Sequence, residues 1–326
     1  MTHPQKKWLF NSIGIILSVS FLYLCFHSMD PTTLAKVFLI PHPLLLLLVV
    51  ALNFVFIGLH AAIWEMLLAP IGAIPFWTLF DLMHVGYMAN NLLPLKAGEF
   101  FRASFVSKKW SLPYTQVLTT IGLERYFAGF GLMLIFLPVA CFLKLPIWIQ
   151  SSAVVMTLVL VGVQVSLIFL WKKKPNLEKW KTRHPVIYKP IEFLFHVSEG
   201  SKILRSLPAF LSMIFLSLLA WLLQAGMLKL VEQAFDIHLG WLPTLFTIIA
   251  INLATAIPSG PANIGTFEYG AVLGFTAMGL DKAAALGIGF YFHLLQTLPV
   301  ILVGLFYYFR WGLRFKEMEK LAEEST

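Results

Sequence analysis

Charge is scarce in this sequence. Asp, Glu, Lys and Arg make up 12% of its 326 residues, about half the roughly 25% of a soluble domain. Hydrophobic residues reach 59% and the mean hydropathy is +0.80. Such a chain lacks the polar side chains to cover itself in water, so the bilayer is its solvent. Alternating strands of about 10 residues are also missing, which excludes a transmembrane barrel. The apolar runs reach about 20 residues, the length of a spanning helix. Helices suit lipid because they satisfy their own backbone groups. Cysteine is nearly absent. Cys25 and Cys141 fall near the same expected membrane face, so a disulfide is open to them, although such cysteines usually serve as small hydrophobes. No P-loop, dinucleotide fingerprint or Ser/His/Asp pattern occurs. His60 and Glu65 are five apart and share no helix face, and His84 has no companion ligand at helical spacing. No metal and no cofactor are expected. The net charge of +8 comes from bases mostly at the ends of apolar runs. It therefore marks topology against anionic headgroups and not nucleic acid.

What is there is a series of apolar spans. Spans are expected near 8–27, 43–69, 114–143, 147–171, 207–231 and 283–309. The first follows Lys6 and Lys7 and is taken as a retained span, since no small-residue cleavage pattern follows it. Two segments between spans are interrupted. Residues 76–110 carry Asp81, His84, Asn90 and Asn91, then break at Pro94 and Gly98. Residues 242–279 break at Pro258, Gly260, Pro261 and Gly265. Proline removes a donor and disfavours helix in the residue before it. Each segment is expected to be a broken helical hairpin, re-entrant or fully spanning. The expected fold is therefore all-α, a polytopic membrane helix bundle of about six full spans plus two such hairpins, forming one membrane domain over 1–326.

The basic stretch 172–206 holds nine lysines and arginines. Its Ile187, Ile191, Leu194 and Phe195 recur at helical spacing, which fits a helix on the membrane surface as well as an ordinary solvated loop. Together with Lys6, Lys7 and the tail, this face carries fifteen basic residues, against Lys36, Lys144, Lys229 and Lys282 on the other. Both termini are then expected to face the cytoplasm.

Spans and hairpins also suggest an internal repeat. The order span, hairpin, span occurs over about 43–143 and again over about 207–309, entering from opposite sides. Inverted repeats of this kind place broken segments around a shared substrate site. A shift of 168 residues lays Leu112 on Leu280, Leu118 on Leu286 and Arg125 on His293, and brings Glu99 within one residue of Glu268.

Ionisable residues at hydrocarbon depth cost roughly 2.5–3.5 kcal/mol on insertion scales, so they face cavities or partners. The candidates are Glu65, Asp81, Glu99, Arg102, Glu124, Arg125, Glu268 and His293. Glu124 and Arg125 are adjacent, point about 100° apart on a helix, and need other partners. Glu99 and Arg102 are the natural ones. An arginine fork suits phosphate, so Arg102 or Arg125 is expected to meet a lipid phosphate. The competing reading is a structural ion network pinning the hairpin. In the second break, Pro258, Asn263, Gly265 and Glu268 form an unwound stretch, and a helix starting near Thr266 would aim its positive end at an anion. The competing reading is a tight surface loop. His293 and Gln296 either face this loop or make helix–helix hydrogen bonds.

Asn91-Leu92-Leu93-Pro94-Leu95-Lys96-Ala97-Gly98-Glu99-Phe100-Phe101-Arg102 resembles a P-x-x-x-G-E-x-x-R signature, followed by Glu124-Arg125 as its E-R. Pro258 through Gly265-Thr266-Phe267-Glu268 is similar to a later P-x-x-x-x-x-G-x-x-E element. These motifs resemble the lysylphosphatidylglycerol synthase transmembrane region, or flippase-like, family over roughly 8–310. Where that family often has Gly-Gly-Ile-Gly, this chain has Ala262-Asn263-Ile264-Gly265. Full-length synthases of the family add a soluble aminoacyl-transferase domain. The chain stops at Thr326, so the resemblance implies lipid translocation or handling and argues against tRNA-dependent lysyl transfer. The expected partner is an anionic or phosphate-containing membrane lipid. Two alternatives stand beside this. One is a membrane-embedded enzyme acting on lipid headgroups, with Glu99 or Glu124 as general base. The other is a non-transporting partner of a lipid synthase.

Overall fold

Prolines and glycines set the helix boundaries. In the computed structural model, α1 spans His3–Phe26, α2 Pro43–Leu68, α3 Phe76–Leu92, α4 Ala97–Trp110 and α5 Tyr114–Phe142. After these come α6 Leu207–Ala234, α7 Trp241–Thr255, a 3-10 turn Pro261–Asn263, α8 Thr266–Ala277 and α9 Lys282–Arg310. The structure describes residues 3–27, with side chains from 14, then 42–93, 97–143, 206–257 and 259–312, plus short stretches between 151 and 166 and residue 201. Pro94, Pro258, the loop with Asp30 and Lys36, much of the expected span 147–171 and nearly all of the basic stretch 172–206 lie outside the described residues.

The chain is all-α and is a polytopic membrane protein. Among the described residues α2, α5, α6 and α9 are long and apolar enough to cross a membrane. The two interrupted segments are the pairs α3–α4 and α7–α8. The helix lengths run 26, 17, 14 and 29 residues from α2 to α5. They run 28, 15, 12 and 29 residues from α6 to α9. Cys25 is buried, Cys141 is exposed and both are free thiols.

Two compact units make up the fold. The first comprises residues 1–57, 84–98 and 222–323. Here α8 packs on α7, α9 and α1. Lipid tails are as apolar as leucine, so close van der Waals contact between small residues must hold such helices together. A Cβ added at Gly270 would lie 2.7 Å from the Ile251 backbone, and one at Gly274 would lie 2.6 Å from that of Thr247. On α9, a Cβ at Gly289 would lie 2.5 Å from Ala271. The pair Gly270-x-x-x-Gly274 thus lets α8 meet α7 backbone to backbone. Polar ties add to this. Asn53 Nδ2 donates to the Gln296 carbonyl at 3.0 Å, and Gln224 Nε2 to Gln296 Oε1 at 3.4 Å. Lys229 Nζ donates to Glu232 Oε2 at 2.7 Å, and Thr244 Oγ1 to Glu232 Oε1 at 2.6 Å.

The second unit comprises residues 58–83, 99–221 and 324–326. Its core is Ile63, Leu67, Leu123, Phe127 and Met213, with Phe210 against it. Phe127 and Phe210 meet edge to face with centroids 5.6 Å apart, a favoured aromatic geometry. Gly131 lets α6 close on α5. There Ser217 Oγ donates to the Phe127 carbonyl and Trp221 Nε1 to the Ala128 carbonyl, each at 2.7 Å.

Candidate functional site

Two acid–base clusters arise from the broken pairs, one in each unit. In the second unit, α4 presents Glu99 and Arg102 three residues apart, on neighbouring positions of one face. The next helix, α5, presents Glu124 and Arg125. The two helices exchange partners. Arg102 Nη2 donates to Glu124 Oε2 at 3.2 Å, and Arg125 Nε donates to Glu99 Oε1 at 3.0 Å. This is the pairing expected from the sequence, because adjacent residues on α5 cannot neutralise each other.

Burial separates the two pairs. Arg102 and Glu124 side chains are each 1% exposed, whereas Arg125 is 38% and Glu99 20% exposed. The buried pair is enclosed further. Nδ1 of His60 lies 3.1 Å from Glu124 Oε1. Arg102 also donates to the Met83 sulfur, and its guanidinium lies 4.8 Å from the Trp64 ring centroid. The indole of Trp64 in turn donates to Thr120 Oγ1 at 3.0 Å. His60, Trp64, Met83 and Thr120 escaped the sequence reading. The spacing His60-x-x-x-Trp64 places both on one face of α2 and was the available signal. Glu65 on α2 and Asp81 on α3 are half-buried. His84 is buried in the first unit, its ring 5.8 Å from Phe54.

The second cluster is built on the 3-10 turn before α8. Gly265 has φ of +91°, a region natural to glycine. Its N–H donates to Glu268 Oε2 at 2.7 Å, the reach-back half of a capping box. The positive end of α8 is thus met by the protein's own carboxylate. Glu268 Oε1 lies 2.7 Å from Nδ1 of His293 on α9, and the His293 ring stacks on Phe267 with centroids 4.2 Å apart. Asn263 stays in the turn. Its carbonyl accepts from Thr266 Oγ1 at 3.0 Å, and its Oδ1 accepts from Ser259 Oγ at 3.3 Å. Of the pair on α9, His293 meets the loop and Gln296 makes the helix–helix bonds given above.

The loop also rests on α1, which the sequence did not suggest. Gly260 N–H donates to Ser18 Oγ at 2.8 Å, and a Cβ at Gly265 would lie 2.4 Å from the Ser18 carbonyl. Lys282 Nζ donates to the carbonyls of Leu24 and His27, each at 2.8 Å, closing the C-terminal end of α1 as a base should.

The clusters match position for position. Glu99 is the third residue of α4 and Arg125 the twelfth of α5. Glu268 is the third residue of α8 and His293 the twelfth of α9. In each case the first-turn acid of a short helix bonds a base on the long helix that follows. The N-termini of the short helices differ in their caps. Gly98 N–H is held by Asn90 Oδ1 at 2.9 Å, which leaves Glu99 for Arg125, whereas Glu268 serves both Gly265 and His293.

A UPF0104 membrane protein of Methanocaldococcus jannaschii is 22% identical over 223 residues, which cover 66% of this chain and 90% of the relative. Residues 11–304 match the lysylphosphatidylglycerol synthase TM region, a range that holds all of α3 to α5, α7 and α8 and all but the last six residues of α9. The chain is a membrane protein of the lysylphosphatidylglycerol synthase transmembrane-region family.

Proposed function

We propose that this protein handles a phosphate-bearing membrane lipid and moves it between leaflets. The observation that carries the reading is the contrast within the α4–α5 cluster. Arg102 is fully enclosed by Glu124, Trp64 and Met83, a structural lock. Arg125 is held by Glu99 through Nε and keeps over a third of its side chain exposed. A partly exposed guanidinium is within reach of an anion, and its planar fork is the shape that phosphate fits. Charges in membrane helices are functional by default, because insertion penalises them.

The matched helix lengths and matched acid–base positions support an inverted repeat over about 43–143 and 207–309, the architecture of alternating access. The distribution of lysine and arginine supports cytoplasmic termini in a bacterial inner membrane. A headgroup-modifying enzyme would need a carboxylate available as general base. Glu99 and Glu124 are each already paired with an arginine, so neither carboxylate stands open to a headgroup hydroxyl or amine.

The test is headgroup accessibility of a labelled phospholipid in proteoliposomes. The protein alone should accelerate transbilayer movement over protein-free vesicles, and the Glu99→Ala, Arg125→Ala double variant should not. Equal rates for the two proteins end the reading. Movement only after adding a lipid synthase from the native membrane would replace it with the partner-subunit role.

A further inference from the structure

We infer that the first unit holds a binding site for the hydrocarbon chain of an amphiphile whose head donates a hydrogen bond, a hydroxyl or an amide N–H, to His293. A cavity of about 400 Å³ lies wholly within this unit, a volume typical of small-molecule sites. Carbon dominates its wall, with Leu22 and Phe26 from α1 and Phe290, Leu294 and Ile301 from α9. Water would need two to four polar partners to stay there, and almost none of the surface this wall exposes to the cavity is polar. A bilayer, in contrast, surrounds the protein with alkyl chains.

Among its polar lining residues, Asn91, Glu268, His293 and Thr297, the Glu268–His293 pair is the ionisable one. Its geometry selects the head. Both carboxylate oxygens of Glu268 are engaged, one by Gly265 N–H and one by His293. The helix N-terminus that would attract an anion is therefore already answered. His293 is 8% exposed, and its Nδ1 faces Glu268 Oε1 at 2.7 Å. In the tautomer that carries its proton on Nδ1, Nε2 is an acceptor, and Nε2 has no hydrogen-bond partner among the described residues. An acceptor beside a carboxylate takes a donor. A phosphate oxygen is itself an acceptor, and its charge would be repelled by Glu268. The equivalent position in the other half is Arg125, which suits phosphate, so the two matched pairs have diverged in ligand chemistry. The inference rests on the lipid-handling reading for its setting, but it concerns binding and not movement.

The test is photolabelling of the purified full-length protein in detergent, with a hexadecanol carrying a diazirine in its chain. Label should map to α9 between residues 286 and 301, and unlabelled hexadecanol should compete about tenfold better than hexadecyl phosphate. A diacylglycerol probe is the second arm. Labelling by hexadecanol alone assigns a single-chain ligand, and labelling by both assigns one chain of a two-chain lipid. Thr297→Trp and, separately, Leu298→Trp should abolish labelling while the protein stays monodisperse. His293→Phe should keep the label and lose the preference of alcohol over phosphate, which decides the matter even if a tryptophan variant does not fold. Competition by hexadecyl phosphate equal to or better than hexadecanol overturns the inference, as does label that both tryptophan variants leave unchanged. Intact labelling in a protein that moves no lipid would leave this site standing and remove the transport reading alone.

Discussion

Arg102 Nη2 donates to Glu124 Oε2 at 3.2 Å, with both side chains 1% exposed. Breaking such a pair leaves one charge buried without compensation, which costs roughly 3–5 kcal/mol. Replacing both members with apolar residues of similar size is far milder, because two desolvation penalties vanish together. Glu124→Leu and Arg102→Met should therefore each lower the unfolding free energy in micelles by about that much. The Arg102→Met, Glu124→Leu double variant should lie closer to the parent than either single change. Near-additive losses in this cycle would mean that the two side chains are not a coupled buried pair.

Close packing of α8 on α7 gives a second expectation. A Cβ at Gly274 would meet the Thr247 backbone at 2.6 Å, whereas one at Gly226 meets nothing within 4 Å. Gly274→Ala must push two helices apart and should reduce the yield of monodisperse protein. Gly226→Ala should be neutral or raise stability by about 0.5–1 kcal/mol, the helix-interior gain of alanine over glycine. Thermal unfolding of both variants side by side checks the contrast.

Gly265 couples the second loop to α1, and Cys25 reports on it. Cys25 is 0% exposed at the end of α1. In a Cys141→Ser background, a maleimide should leave Cys25 unmodified in the folded protein. Gly265→Ala combines a positive φ, costing about 1–2 kcal/mol for a residue with a Cβ, with a clash at the Ser18 carbonyl. It should speed Cys25 modification by about tenfold or more. Unchanged reactivity would show that the loop and α1 are held by other contacts.

Much of the fold was legible because lipid leaves a chain few choices. Apolar runs about 20 residues long had to be helices, and the expected breaks at Pro94–Gly98 and Pro258–Gly265 bracket where α3 gives way to α4 and α7 to α8. The cross-pairing of Glu99 with Arg125 and of Arg102 with Glu124 followed from one constraint, that neighbours on a helix cannot face each other. Other features were hidden because they depend on which helices meet. Nothing in α1 announced that Ser18 would hold the Gly260 N–H, or that Leu22 and Phe26 would line a cavity. His60 looked isolated since its partner Glu124 lies 64 residues away. The anion expected at the start of α8 was drawn from the helix dipole alone. Glu268, in that same first turn, occupies the position instead.

The measurement that bears most directly on the proposed role of Arg125 compares two labelled lipids in the same proteoliposomes, one with a phosphodiester headgroup and one with the same chains and a bare hydroxyl. The parent protein should move the phosphodiester lipid faster than protein-free vesicles do. Arg125→Gln should lose that acceleration by about tenfold, with the Arg102–Glu124 pair and overall stability intact, and Arg125→Lys should recover only part of it because an ammonium lacks the planar fork. If Arg125→Gln moves the phosphodiester lipid as fast as the parent, the exposed guanidinium of Arg125 does not carry the lipid phosphate and the account is wrong.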